Sequence, residues 1–358
     1  MTTQRTINEE FLERFINTPS PTGVEEPAQK VYREYLADIA EKFTTDVLGN
    51  VDAIMNIGEG PKIMLAGHVD EVGLQVRYIT EKGYIYFNQL GGIDAHITPG
   101  NRIKILTDKG EILGIIGKKA IHLQQPDERT KIIKLKDQYI DIGARTREEV
   151  EELGVKIGDP MVFISNYTKL GNNGDVVARC FDDKIGGFVI AEVMRRLKGT
   201  EFDGEIHGVS TTQEEVGTRG AIVSAYSINP KVGIAFDVTH ASDSPDVKEL
   251  DIGIKPLGGG PVIVRGPNIN PKLFDLMVET AKELEIPYKI DAAPRPTGTD
   301  ARSIQMAQAG VATGLIGIPN RYMHTMNEVV NLDDVEATVK LVVGVIKKIK
   351  KDTSFIPM

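Results

Sequence analysis

The residues of this sequence best suited to chemistry are histidines and acids gathered in five short segments. His68 and Asp70 lie in Gly67-His-Val-Asp-Glu71, and Asp182 and Asp183 stand together before a helix-like stretch. Glu214 and Glu215 close Thr211-Thr-Gln-Glu-Glu215, Asp237 follows Gly233-Ile-Ala-Phe236, and His324 lies in Arg321-Tyr-Met-His-Thr325. Histidine with aspartate and glutamate is the ligand set of hydrolytic zinc and cobalt sites. Several acids meeting in one crevice repel unless a cation lies among them, so a pair of divalent ions is the natural compensation. Taken singly, each segment has a plainer reading. A histidine at a strand end is more often a satisfied core residue, Asp182 or Asp183 could cap a helix, and a Glu-Glu pair is usually solvated surface. Asp237 is harder to dismiss, because an acid closing an apolar strand needs a partner.

The order of elements gives these segments a reason to meet. Phe11, Leu12, Phe15 and Ile16 share one face of an opening helix, which the turn Pro19-Ser-Pro-Thr-Gly23 ends. Val31, Tyr35, Leu36 and Ile39 repeat the pattern in a second helix, and Lys62-Ile-Met-Leu-Ala66 reads as a buried strand. Later, helical Ile185–Leu197 precedes strands at Glu205–Thr211 and Val232–Phe236. A helix over Pro271–Leu284, a strand over Gly314–Ile318 and a last helix carrying Val335, Val339, Val342, Val343, Ile346 and Ile349 complete the series. This alternation implies an α/β fold, a mixed sheet flanked by helices. Open α/β sheets place their sites outside the carboxyl ends of the strands. Four of the segments fall there, and the Asp182 pair opens a helix that can face the same crevice.

From Gly73 to Asp175 the character changes. Tyr84–Phe87, Arg102–Leu106 and Glu111–Ile116 read as strands, Thr107-Asp-Lys-Gly110 as a hairpin turn, and Arg147–Leu153 as a short helix. The expected organisation is a catalytic domain built from residues 1–72 and 176–358, with a β-rich domain over 73–175 inserted into it.

Composition narrows the class further. The 358 residues are 41% hydrophobic and 26% charged, enough for a large core. Asp and Glu number 51 against 42 Lys and Arg, a net charge of -9, which gives no electrostatic reason to expect nucleic acid or an anionic membrane as partner. Cys180 is the only cysteine, so no intrachain disulfide is possible. The opening residues, Met1 to Glu10, hold no apolar core of a secretory signal, and no run approaches the roughly 20 apolar residues that span a bilayer. The expected location is the cytoplasm.

Together the motifs resemble those of the TET-type metallo-aminopeptidases, metallopeptidase family forty-two, some of whose members carry glutamyl aminopeptidase or cellulase labels. The resemblance rests on Ala66-Gly-His-Val-Asp-Glu-Val-Gly73, Arg179-Cys-Phe-Asp-Asp-Lys-Ile-Gly186, Thr212-Gln-Glu-Glu-Val-Gly217, Gly298-Thr-Asp300 and Arg321-Tyr-Met-His-Thr325, in the family's order and across essentially the whole chain. It implies that His68, Asp182, Glu215, Asp237 and His324 bind two divalent ions, zinc or cobalt, with Asp182 bridging both. It implies Glu214 as general base and Asp70 as the group orienting His68. Where the family often has Asn, this chain has Asp183, read here as structural. The resemblance further implies a zinc-peptidase-like catalytic domain, an inserted dimerisation domain, peptide substrates, and a tetrahedral particle of twelve subunits. If Glu214 and Glu215 lie on extended backbone, their side chains point to opposite faces and can divide the labour.

Rival readings are a glycoside hydrolase of the endoglucanase type, a metal-dependent deacylase, and an inactive structural particle. A glycosidase needs two carboxyls about 5–9.5 Å apart, and has no call for His68, Asp237 and His324 beside them. Gly258-Gly-Gly260 lacks the Lys-Ser/Thr of a phosphate loop. His96, His122, His207 and His240 have no motif around them and read as structural or surface residues.

Overall fold

A computed structural model describes residues 5–357; residues 1–4, part of the opening read above for a signal, lie outside the described residues, as does residue 358. Helix α1 (Glu9–Asn17) starts where the Asn8 side chain accepts the Phe11 N–H, and it buries Phe11, Leu12, Phe15 and Ile16. Helix α2 (Glu26–Leu36) carries a proline in its first turn and buries Val31, Tyr32 and Leu36. Tyr35, expected on the buried face, is only partly covered and stacks on Phe11 instead. Strands β1 (Lys42–Thr45) and β2 (Val51–Met55) pair antiparallel, and β3 (Lys62–His68) follows, buried over all but its first residue.

The chain then leaves for a small closed barrel. Its strands are β4 (Gly73–Ile79), β5 (Ile85–Leu90), β6 (Arg102–Thr107), β7 (Gly110–Ile116), β8 (Tyr139–Asp141) and β9 (Pro160–Phe163), in the order β4-β5-β8-β7-β6-β9. Inward residues such as Leu74, Val76, Ile85, Phe87, Ile103, Ile105, Ile116, Ile140 and Met161 form a core separate from the main one. Thr107 pairs with Gly110, leaving Asp108 and Lys109 as a two-residue hairpin loop. Helix α3 (Arg147–Glu152) starts at Thr146, whose side chain accepts the Glu149 N–H.

Strands β10 (Thr168–Leu170) and β11 (Asp175–Ala178) return the chain to the large sheet, so the barrel strands end at Phe163. Next come α4 (Phe181–Leu197), β12 (Glu205–Thr211), α5 (Arg219–Ile228), β13 (Val232–His240), α6 (Glu249–Ile252), β14 (Val262–Arg265) and α7 (Pro271–Glu283). The series closes with β15 (Lys289–Ala292), α8 (Asp300–Gln305), β16 (Ala312–Arg321), β17 (Glu328–Asn331) and α9 (Leu332–Lys348). The large sheet runs β1-β2-β12-β3-β13-β16-β17-β11-β10, with β14 and β15 branching from β16. Its centre, β12-β3-β13-β16, is parallel, and the flanking pairs are antiparallel. This is the mixed sheet flanked by helices that the alternation predicts. Helix α4 crosses β3 and β13, with α1, α2 and α9 against it, while α5 and α8 pack on each other and on the central strands. Among the described residues no helix is long and apolar enough to cross a membrane.

Two central strands run past their expected ends. Strands β13 and β16 pair in parallel register as far as His240 and Asn320, so Asp237 lies inside a strand and does not terminate it. Thr211 and His68 stand in register at the ends of β12 and β3. The carboxyl ends of the parallel strands therefore share one edge.

Candidate active site

A cavity of about 520 Å³ opens at that edge, lined among others by His68, Asp182, Glu214, Glu215, Asp237 and His324. A slightly larger hollow, about 560 Å³, lies between α2 and the β1–β2 turn and contains no histidine. Chemistry belongs to the first.

Each residue reaches the cavity for a local reason. His68 is the last residue of β3, and Asp237 comes from the interior of β13. Asp182 and Asp183 fall at the start of α4, where Asp182 (φ -76°, ψ 108°) is not helical. Asp183 Oδ1 accepts the Gly186 N–H at 3.1 Å, so it caps the regular part of the helix and frees Asp182 to face the histidines. Glu214 and Glu215 lie beyond the end of β12, after Gln213 in the left-handed region (φ +55°). Their different directions come from this turn and not from strand alternation. His324 lies on the β16–β17 connection, also left-handed at φ +59°.

The distances bring these groups into one cluster. His68 Nε2 lies 3.1 Å from Asp182 Oδ1, and His324 Nε2 lies 3.1 Å from Asp182 Oδ2. Glu215 Oε1 is 3.4 Å from His324 Nε2, and Glu214 Oε2 is 3.9 Å from His68 Nε2. Ligand atoms of His68, Asp182 and Asp237 all lie within 4.8 Å of one another, as do those of Asp182, Glu215 and His324. The two groups share Asp182, and each offers the nitrogen and oxygen donors that suit zinc or cobalt.

Asp70 is buried beneath this cluster. Its Oδ1 accepts the Glu214 N–H at 3.0 Å, and its Oδ2 accepts the Glu215 N–H at 3.2 Å and the Thr22 hydroxyl at 2.9 Å. His68 Nδ1 lies 3.0 Å from the Asp70 carbonyl and 3.5 Å from its carboxylate. Asp70 thus meets His68 chiefly through its main chain, and its carboxylate holds the Glu214–Glu215 turn.

Electrostatics report the crowding. Burial pushes the Glu214 carboxyl up to about 9, with His68 opposing the shift and Asp237 and Asp300 adding to it. Burial, then the Asp182 charge, raises Glu215 to about 7, and the same two causes raise Asp237 well above the carboxylate range. Burial would raise Asp182 as well, but hydrogen bonds from His324 and His68 outweigh it and hold that carboxyl below its ordinary value. The hydrogen bond to Asp182 lifts His324 to about 10. Divalent ions among these groups would oppose the upward shifts of Glu214, Glu215 and Asp237 and reinforce the ionised state of Asp182. The donor set fits a metal pair.

Other residues of the site escaped sequence reasoning. Glu328, 1% exposed, accepts backbone N–H groups from both Asp182 and His324. Thr22 gave no sign beyond its place in a helix-ending turn. Thr299 and Asp300 are different: their motif's resemblance to the family suggests that they shape the substrate pocket, against a plain turn-forming role. Asp300 is buried and accepts the Thr211 hydroxyl at 2.6 Å, while Thr299 caps α8 and lines the cavity. His240, read as structural or surface, also lines the cavity; His207 is buried between Asp52 (2.8 Å) and Glu205 (2.9 Å).

A mixed α/β sheet with histidines and acids clustered at the ends of its parallel strands defines a class of fold and site, one with residue groups able to hold metal. The chain belongs to the M42 glutamyl aminopeptidase family, whose model matches residues 49–341. It is 37% identical to a lysyl aminopeptidase of Pyrococcus furiosus over 347 residues, covering 96% of this chain and 98% of that one. A TET aminopeptidase from a marine sediment archaeon of the Thaumarchaeota has a similar structure, with TM-score 0.91, 36% identity and 96% of each chain covered. The TET1 peptidase of Pyrococcus horikoshii, which can assemble into a tetrahedron or a large octahedral shell, aligns with TM-score 0.83 and 29% identity over 95% of this chain and 99% of that one.

Proposed function

We propose that this chain is a dinuclear-metal aminopeptidase that removes N-terminal residues from peptides. His68, Asp182, Glu215, Asp237 and His324 would hold two divalent ions, zinc or cobalt, Asp182 being the residue the two groups have in common. The observation that carries the reading is the pair of three-residue groups sharing Asp182 in one cavity, with Glu214 beside them. When bound, such a pair supplies Lewis-acid polarisation of the scissile carbonyl and an acidified water. Glu214 accepts the proton of the attacking water and delivers it to the leaving amine. Asp70 keeps Glu214 in reach by accepting the N–H groups of the Glu214–Glu215 turn, and its carbonyl fixes the His68 ring. The acid-lined cavity favours the positively charged amine of a peptide N-terminus.

Self-association extends the proposal. The barrel exposes Tyr78 (51%), Leu113 (56%) and Ile115 (47%), apolar surface suited to a dimer contact. The shells formed by the Pyrococcus horikoshii relative make a tetrahedral dodecamer the expected assembly, read by analytical ultracentrifugation. A cytoplasmic location is part of the same proposal, and the one cysteine, Cys180, buried and unpaired, is consistent with a reducing compartment.

The test is chelation followed by reloading, with aminoacyl-anilides as substrates. Activity is expected to vanish with chelator and to return with zinc or cobalt. Glu214→Gln is expected to keep its metal while losing on the order of 10²–10⁴-fold in turnover. Cellulose cleavage that survives chelation would return the glycosidase reading, and normal turnover in Glu214→Gln would remove that residue as the base.

A further inference from the structure

The two metal-binding groups are not equally well supported by the fold. In the first, His68 ends β3 and Asp237 lies within β13, so two of its three members are set by strands of the parallel centre. In the second, Asp182, Glu215 and His324 all stand on irregular backbone. Cys180, just before Asp182, and Tyr322 and His324 are left-handed, at φ +55°, +63° and +59°. No ladder fixes this second group.

Glu328 takes the place of a ladder. It opens β17, where it pairs with Ala178 of β11, and it is 1% exposed. Its Oε2 accepts the Asp182 N–H at 2.9 Å and the Asn320 side-chain N–H at 3.2 Å, while its Oε1 accepts the His324 N–H at 3.0 Å. Three donors thus converge on two oxygens, and both oxygens must be acceptors. A carboxyl group meets that demand where an amide does not, since an amide would turn an NH₂ towards an N–H. The carboxyl sits in a region already crowded with acids, where burying another ionisable group costs free energy. Packing alone would be served as well by a neutral residue.

We infer that Glu328 is a positioning residue for the second metal position: its two oxygens set the spacing of Asp182 and His324, and with it the affinity of the Asp182–Glu215–His324 group. The first group, anchored on β3 and β13, depends on it far less. This inference rests on the dinuclear reading above, and its consequence is sequential loading. The strand-anchored position fills first and the loop-borne position second, the gap between them being governed by Glu328.

The test is an equilibrium titration of the metal-stripped, assembled protein with cobalt, followed by calorimetry and by the visible cobalt spectrum. Wild type is expected to bind two ions per subunit. Glu328→Gln is expected to bind the first with little change in affinity, since of that group only Asp182 touches Glu328, and the second about 10–100-fold more weakly, the range for loss of a group that orients ligands. Excess cobalt should then restore kcat with little change in KM. In a His324→Ala background, Glu328→Gln should add no further loss, because the position it serves is already gone. Equal weakening of both ions, or two ions bound as tightly as in wild type, overturns the inference while leaving the dinuclear reading intact. A wild type that binds no ion overturns that reading itself. Should Glu328→Gln fail to fold by circular dichroism, Glu328→Asp keeps the charge but is one methylene short. It should show the same selective weakening, and unchanged affinity for the second ion would again overturn the inference.

Discussion

The buried carboxylate of Glu71 offers a test of the scaffold that is independent of turnover. Its Oε2 lies 2.8 Å from Arg179 Nε as an ion pair, and its Oε1 lies 3.3 Å from both Arg179 Nη2 and Lys184 Nζ. Oε1 also accepts the Ser20 N–H at 2.8 Å. Lys184 is fully buried and the Arg179 side chain 7% exposed, so one anion compensates two buried cations. Glu71→Gln keeps the shape and removes the charge. Breaking a buried pair of this kind costs about 3–5 kcal/mol, because the remaining charge has no partner. With an unfolding entropy of about 2.1 cal/mol/K per residue, a chain of this length has roughly 0.75 kcal/mol/K, and the thermal midpoint should fall by about 4–7 °C. Burial would raise the Glu71 carboxyl, but the charges of Arg179 and Lys184 prevail and hold it below its ordinary 4.5. A depressed carboxyl contributes its stability above that value and loses it as the pH falls through the folded value. The gap between wild type and variant, measured by calorimetric scans from pH 7 downwards, should therefore be full at neutrality and close below about pH 4.5. A gap that stays constant with pH, or a midpoint that does not move at pH 7, would refute the reasoning.

Three further outcomes follow from the geometry. Thr22→Val removes the hydroxyl that Asp70 Oδ2 accepts at 2.9 Å; kcat should fall about 10–100-fold with only about 1–3 kcal/mol lost in stability, as steady-state kinetics and denaturation will show. Gly67→Ala would place a Cβ 2.8 Å from the Gly186 and Gly187 backbone; the thermal midpoint should drop by the equivalent of about 1–3 kcal/mol, with weaker cobalt binding as α4 is pushed from β3. Without cations, Glu214 holds its proton to about pH 9 and His324 to about pH 10, so metal loading must displace protons at pH 7. Calorimetry in buffers of different ionisation heat should detect on the order of one to three protons released per subunit, with the number falling towards zero as the pH passes those values.

The sequence disclosed the site best where it coincides with strand ends. Strand β12 spans Glu205–Thr211 as read, with all seven residues buried, and the chain turns away at the left-handed Gln213 two residues beyond it. The paired acids Asp182 and Asp183 were legible as a pair but not in their division, which depends on the non-helical backbone at the start of α4. Likewise Glu214 and Glu215 were legible as neighbours, yet their directions come from a left-handed Gln213 that no periodicity reveals. Strand β1, Lys42-Phe-Thr-Thr45, is mostly exposed at the sheet edge and carries little apolar signal. Glu328 was invisible for another reason. An acid before Val329 and Val330 looks like any strand opening, and only the three-dimensional meeting of Asp182, His324 and Asn320 gives it a task.

The order in which the chain delivers its parts has a bearing on biosynthesis. His324 Nδ1 bonds the Gly92 carbonyl from 232 positions away, and the segment bearing this histidine emerges from the ribosome after every other member of the cluster. Until β16 has been made and laid beside β13, the cavity lacks one wall and one imidazole. On the proposed assignment of His324, a half-translated chain lacks a complete metal-binding group and is expected to leave the amino ends of other nascent chains untrimmed.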